Sequence, residues 1–231
     1  MSEITPAEWT AILLSLRVAV IATLVATPFG IALAWLLARH DFWGKSVLDA
    51  LVHLPLVLPP VVTGYLLLLT FGRRGLVGAW LADHLGIVFA FRWTGAALAC
   101  GVMSFPLLVR PIRLSIEAVD RRLEQAASTL GAPPWQVFAT VTLPLALPGV
   151  LAGMVLGFAK AIGEFGATIT FVSNIPGETQ TISSAIYSLI QTPDGDAAAL
   201  RLVIVSAIIA MAALIGSEWF ARRATQRLHG N

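Results

Sequence analysis

Charge is scarce in this chain. Asp, Glu, Lys and Arg together make up 12% of its 231 residues, where soluble domains carry roughly a quarter. So few charges cannot cover the surface of a water-soluble fold, which excludes a soluble protein and leaves an integral membrane protein. Cysteine is nearly absent too. The single Cys100 excludes a disulfide framework and a Cys-rich metal site, and its apolar surroundings make it a packed core residue. The first ten residues hold Glu3 and Glu8 but no Lys or Arg, so no cleavable secretion signal is expected, because such a signal needs a basic start. A phosphate-binding loop is missing: Gly44-Lys45-Ser46 imitates its end, but Arg39 stands where its first glycine belongs. His40, His53, His84 and His229 lie far apart, and no metal cluster or Ser-His-Asp set is visible. The chain is therefore expected to be no enzyme, with no catalytic residue and no metal site.

Long apolar runs are what it has. Mean hydropathy is +0.82 and 57% of residues are hydrophobic. A crossing helix needs about 20 mostly apolar residues. Five runs qualify: Val18–Ala38 (starting nearer Trp9), Leu54–Gly72, Trp93–Val109, Leu145–Phe171 and Leu202–Ser217. Their continuous apolarity, with no period-two alternation, excludes spanning strands. Leu85–Phe91 is too short to cross and reads as a helical turn or dip at the surface. The expected fold is an all-α integral membrane protein, one domain over 1–231 with a polar segment at 120–144.

Basic residues choose the orientation. Arg39, Lys45, Arg110, Arg113, Arg121, Arg122, Arg222, Arg223 and Arg227 share one side of a five-span layout, against Arg73, Arg74, Arg92 and Arg201 on the other. The richer side is taken as cytoplasmic. This puts the N-terminus outside, and the C-terminus and the 120–144 segment inside, at a bacterial cytoplasmic (inner) membrane.

The 120–144 segment differs from everything around it. Leu123, Ala126, Ala127 and Leu130 fall on one helical face. Asp120 is placed to cap the helix start, and Gly131 to supply a left-handed stop. Pro133 and Pro134 suit the first turn of a second helix, with Pro144 ending that piece and starting the fourth span. Small alanines let a partner approach closely; a helix lying on lipid headgroups is the competing reading. The segment is tethered to the membrane at both ends and has no basic face, so nucleic acid is not an expected partner.

Gln125-Ala126-Ala127, Gly131 and Val141-Thr142-Leu143-Pro144 resemble the EAA signature of the membrane subunits of ATP-driven (ABC-type) importers, with Gln125 at the usual acidic position and Glu124 one residue earlier. Leu54-Pro55-Leu56-Val57-Leu58-Pro59-Pro60-Val61-Val62-Thr63-Gly64-Tyr65 and the stretch from Gly163-Glu164-Phe165-Gly166 through Thr179 resemble the molybdate permease branch of that family. Sulfate permeases share the Gly-Glu-aromatic-Gly element, but their following sequence differs. The resemblance implies a type I importer transmembrane domain and permeation of molybdate, with tungstate or sulfate/thiosulfate as alternatives. It implies a homodimer with one pore, two cytoplasmic ATPase subunits that bind ATP and Mg, and a periplasmic or extracellular molybdate-binding protein. No cofactor is then expected in this chain. Glu124, Gln125, Ala126, Ala127, Gly131, Leu143 and Pro144 would form the ATPase-coupling segment.

Lys160 and Glu164 stand four apart within an apolar run. Each is costly in hydrocarbon unless paired or facing a cavity, so they read either as a gate lining the path or as a buried structural pair. Gly149, Gly153, Gly157 and Ala161 form a small-residue stripe on the same run, suited to close helix packing within the chain or between copies. Pro55, Pro59, Pro60 and Gly64 break the second run, which places Thr63 at a path or merely kinks the helix for packing. Asp49 and His53 suit a solvated end. Ser173, Asn174, Gly177, Thr179, Thr181, Ser183 and Ser184 form a polar stretch outside, read as an outer gate, a docking loop or a plain loop. The candidate path residues are Thr63, Lys160, Glu164, Thr168, Ser173 and Asn174. A proton-driven oxyanion carrier using Glu164 is the rival function; inverted repeats would favour it, and none is evident. A membrane-embedded enzyme with Lys160 and Glu164 as an acid–base pair ranks last, since nothing positions a nucleophile.

Overall fold

The computed structural model describes residues 4–228, with side chains described through Gly216. Glu3 and His229, and the side chains of Ser217, Arg222, Arg223 and Arg227, lie outside the described residues. Every regular element among the described residues is helical. In order it forms α1 (Pro6–Arg39), α2 (Lys45–Val57), α3 (Pro60–Phe71), α4 (Leu76–Leu85), α5 (Trp93–Ala118), α6 (Arg121–Thr129), α7 (Pro134–Val137), a π-helical turn (Phe138–Thr142), α8 (Leu143–Ile162), α9 (Gly166–Val172), α10 (Ile182–Leu189) and α11 (Asp196–Leu228).

Four continuous stretches are long and apolar enough to cross a bilayer: Pro6–Arg39, Trp93–Ala118, Pro134–Ile162 and Asp196–Gly216. The pair α2 and α3 passes the same test only when taken together; bent by 115°, it forms a broken fifth span or a re-entrant loop. Each sequence-expected apolar run is helical, but the bounds of all five shift; the third, expected to end at Val109, runs on to Ala118. The first helix starts at Pro6, ahead of Val18 and Trp9, because Thr5 and Glu8 form a reciprocal capping box: the Thr5 N–H donates to Glu8 Oε2 at 2.6 Å and the Glu8 N–H to Thr5 Oγ1 at 3.3 Å. The second run, Leu54–Gly72, is two helices. Pro59 and Pro60 have no N–H to continue the ladder, so the chain turns there and α3 restarts at Pro60. The fourth run does not reach Phe171 as one helix. It stops at Ile162, Gly163 caps it, and α9 starts afresh at Gly166. The fifth helix begins at Asp196, before Leu202. Leu85–Phe91 is not a helical turn: α4 precedes it, Gly86 at φ 66° ends that helix, and the segment that follows carries Phe91 at φ 59°.

Pro144 does not end its helix, contrary to its local signal. The Leu143 N–H bonds to the Phe138 carbonyl, the wide π turn absorbs the hydrogen bond that proline cannot make, and the helix runs unbroken from Pro134 to Ile162.

The core centres on α5, which packs between α1 and α8. The glycine stripe of α8 makes this possible. A Cβ at Gly149 would lie 2.6 Å from the Pro111 carbonyl oxygen, and one at Gly153 would lie 2.5 Å from that of Leu108. The stripe therefore packs within the chain, against α5. At one end of the bundle Arg39, Asp49, Arg113 and the α6 segment come together. At the other, Arg201 pairs with Glu8 at 2.8 Å, and Ser15 Oγ accepts the Ile182 N–H at 2.7 Å.

Candidate functional site

Two features stand apart from ordinary helix packing. One is the knob at the Arg39 end, built from α6 and α7. The other is a pair of helix breaks facing each other.

α6 projects from the bundle with no buried residue. Asp120 caps it by accepting the Arg122 N–H at 2.9 Å, and Gly131, at φ 89°, ends the turn in the left-handed region that favours glycine. Gln125 and Ala126 are exposed and Ala127 is half-buried. Leu130 and Trp135 stand out at 89% and 72% exposure, leaving an apolar surface with no intrachain partner. Glu124 points the other way. Its Oε1 accepts from Arg39 Nη2 at 3.0 Å, from Arg39 Nε at 3.2 Å and from Thr142 Oγ1 at 2.6 Å. Arg39 Nη2 also donates to the Val119 carbonyl at 3.1 Å. One carboxylate thus ties the knob to the end of α1 and to the π turn. Trp35 adds edge contacts to His40 and Phe138, with centroids 4.7 and 5.6 Å away. A hollow of about 510 Å³ opens between α6, α7 and the end of α1. Leu143 closes the π turn through its N–H, and Pro144 follows in the first turn of α8.

The break at Pro59-Pro60 faces the break at Gly163-Glu164-Phe165. Gly166 lies so near Pro60 that an added Cβ would fall 2.7 Å from the proline Cβ, and a Cβ at Gly64 would fall 2.5 Å from the Ala167 carbonyl oxygen. Only glycines allow α3 and α9 this close. Glu164 lies just past the end of α8, and its side chain is 1% exposed. It is satisfied from two directions: Lys160 Nζ donates to Oε2 at 2.6 Å, and the Ala167 N–H donates to Oε1 at 3.0 Å. The carboxylate thus closes the N-terminus of α9 while neutralising the half-exposed Lys160. These two residues meet across a helix break, not along one helix face as their spacing suggests.

The other sequence-expected path residues have distinct fates. Thr63 is buried on α3, and its Oγ1 has no hydrogen-bond partner among the described residues. Thr168 is buried and donates to the Phe165 carbonyl at 2.8 Å. Ser173 is exposed at φ 66°, a costly conformation for a residue with a side chain. Asn174 Nδ2 donates to Ser188 Oγ at 2.6 Å, while its Oδ1 is buried without a partner. The polar stretch after α9 is not a plain loop. Thr179 is buried and braces it, accepting the Ile175 N–H at 2.9 Å; Ser183 and Ser184 lie within α10, where Ser184 is buried. Asp49, read as solvated, accepts from Arg113 at 2.9 Å, and His53 Nδ1 lies 2.8 Å from the Asp49 carbonyl.

Sequence reasoning missed Arg39 and Thr142 as partners of Glu124, and Arg201 as partner of Glu8. Arg39 was visible as a topology marker only. The available signal was the rarity of carboxylates, each of which needs a counterion near a membrane.

Residues 26–226 match the family described as the binding-protein-dependent transport system inner membrane component. The chain is 62% identical over 224 residues to the molybdenum transport system permease protein ModB of Escherichia coli, covering 97% of this chain and 98% of that protein. It is 57% identical over 221 residues to ModB of Haemophilus influenzae, covering 96% of each. In fold it is similar to a chain of the crystal structure of a bacterial ABC transporter involved in alginate import, with a TM-score of 0.75 at 20% identity, covering 96% of this chain and 81% of that one.

Proposed function

The chain belongs to the family of binding-protein-dependent transport system inner membrane components, and on that premise we propose that it is the multi-pass permease subunit of an ATP-driven molybdate importer. Near-full-length identity of 57–62% to molybdenum permeases supports the substrate class. The observation that carries the coupling half of the reading is α6, a helix with no buried residue, tied from behind by the Glu124–Arg39–Thr142 cluster.

In this reading two copies enclose one pore. A cytoplasmic ATPase subunit, which binds ATP and Mg, grips each knob through Gln125, Ala126, Ala127 and Leu130. The N-terminus lies outside and the C-terminus in the cytoplasm. A binding protein delivers the oxyanion at the Asn174 end. ATP-driven closure of the ATPases pushes α6. Glu124 passes the push to α1 and, through Thr142, to α8, whose far end is the Glu164 break beside α3. The permease is a two-state element, and its partners bias which mouth is open.

The path chemistry suits a dianion that must leave again. Lys160 is neutralised by Glu164, so no strong fixed cation traps the substrate. The buried Thr63 hydroxyl, which has no partner among the described residues, becomes available to an oxyanion when the helices around it part. The test is uptake of labelled molybdate into proteoliposomes, with and without the cognate ATPase and binding protein. The proposal requires uptake that depends on ATP and on both partners; uptake by the chain alone would establish a secondary carrier instead.

A further inference from the structure

A second groove lies on a different face. It has a volume of about 660 Å³, is lined almost wholly by apolar side chains of α1, α2 and α5, and shares no lining residue with α3, α6, α8 or α9. Its wall is open: Val25, Phe29 and Leu51 are 58%, 66% and 57% exposed. A channel this apolar is not a route for a dianion.

Its head is charged. Arg17, Ile21, Val25 and Phe29 succeed one another at four-residue intervals, so they form one stripe along α1. The last three line the groove. The Arg17 guanidinium carbon lies 3.8 Å from the centroid of the Trp93 ring, and Trp93 is both the first residue of α5 and part of the groove wall. Arg17 is exposed and has no carboxylate partner among the described residues.

This arrangement matches one ligand chemistry. A guanidinium facing lipid needs an anionic acceptor, and its planar fork fits a phosphate. A tryptophan beside it marks the headgroup level. At 1.5 Å per residue the stripe from Arg17 to Phe29 is about 18 Å long, on the order of the 15 Å that one leaflet contributes to the hydrocarbon core. We propose that this groove is a phospholipid site, in which one acyl chain lies along α1 and α5 and the headgroup phosphate is held by Arg17 over Trp93. The inference is independent of which substrate the pore carries.

The test uses the purified full-length chain in dodecyl maltoside, which has no phosphate, with phosphatidylglycerol as the probe. Thermal unfolding and native mass spectrometry are followed during titration. One retained phospholipid per chain and a rise in Tm are expected. Arg17→Gln should weaken the titration midpoint about fivefold, the loss of one basic residue facing lipid phosphate, and Arg17→Lys should restore most of it. Val25→Trp, which fills the groove and leaves Arg17 in place, should abolish the retained phospholipid while the protein stays folded. Binding unchanged in both Arg17→Gln and Val25→Trp would overturn the proposal. So would conversion of a lipid-free dimer to a monomer by Val25→Trp, which would assign the groove to a second copy of the chain.

Discussion

Glu124 and Arg39 meet at 3.0 Å although 85 positions separate them, and their side chains are only 18% and 9% exposed. The contact makes the knob a rigid extension of the first membrane helix. Glu124→Gln removes the charge and leaves Arg39 uncompensated, at a cost of about 2 kcal/mol after discounting for partial exposure. In proteoliposomes with the cognate ATPase, the variant is expected to keep ATP hydrolysis but lose most molybdate uptake. Uptake and hydrolysis falling in proportion would show that Glu124 contributes to ATPase affinity alone.

Leu130 is 89% exposed, so it contributes little to folding of the chain. Leu130→Asp should change thermal stability by less than about 0.5 kcal/mol. Capture of the ATPase should weaken at least about tenfold, as for a central interface anchor. Unchanged capture in a pull-down titration would remove this face from the interface.

Glu164 is the group that the paired breaks cannot spare. Glu164→Ala leaves Lys160 without its counterion and the start of α9 uncapped, and is expected to cost about 3 kcal/mol. Lys160→Met leaves the Ala167 N–H bond to Glu164 intact and should be milder. Thermal unfolding of both variants in detergent ranks them; equal losses would mean the ion pair, not the cap, dominates.

Along the α8 stripe, the surrounding atoms set the order of tolerance. Gly153→Ala brings a Cβ to 2.5 Å from the Leu108 carbonyl oxygen, whereas at Gly157 the nearest atom is a Leu108 side-chain carbon at 3.6 Å. The first change should destabilise by about 1–3 kcal/mol and the second should be near neutral. Equal Tm values for the two variants would contradict the helix register described above.

Thr63→Val removes a buried hydroxyl that has no partner within the described chain. Losing an unsatisfied polar group is neutral to slightly stabilising for folding. On the proposed path role of this hydroxyl, molybdate uptake should nevertheless fall. Full uptake with a raised Tm would make Thr63 a packing residue.

What the sequence disclosed here was what local chemistry decides. Asp120 capping α6 and Gly131 stopping it are short-range rules, and both hold in the fold. The four continuous spans followed from hydropathy alone, since burial in lipid depends on composition more than on partners. The break at Gly163 was hidden. Lys160 and Glu164 at a spacing of four look like one helix face, and hydropathy does not change where the helix ends. That ending is tied to the approach of α3, where Gly64 and Gly166 admit neighbouring backbone. Pro144 misled in the opposite sense, because its stop signal is local and the π turn that absorbs it is not. The partners of Glu124 were out of reach for the same reason: no periodicity connects it to Arg39 or Thr142.

The unbroken helix from Pro134 to Ile162 has a mechanical corollary. At 1.5 Å per residue its 29 residues form a shaft about 43 Å long from the water-exposed foot to the buried elbow at Glu164, continuous through the π turn and Pro148. In the proposed coupling, torque applied at the foot travels along this rod to the elbow at Glu164, beside the break that opens α3.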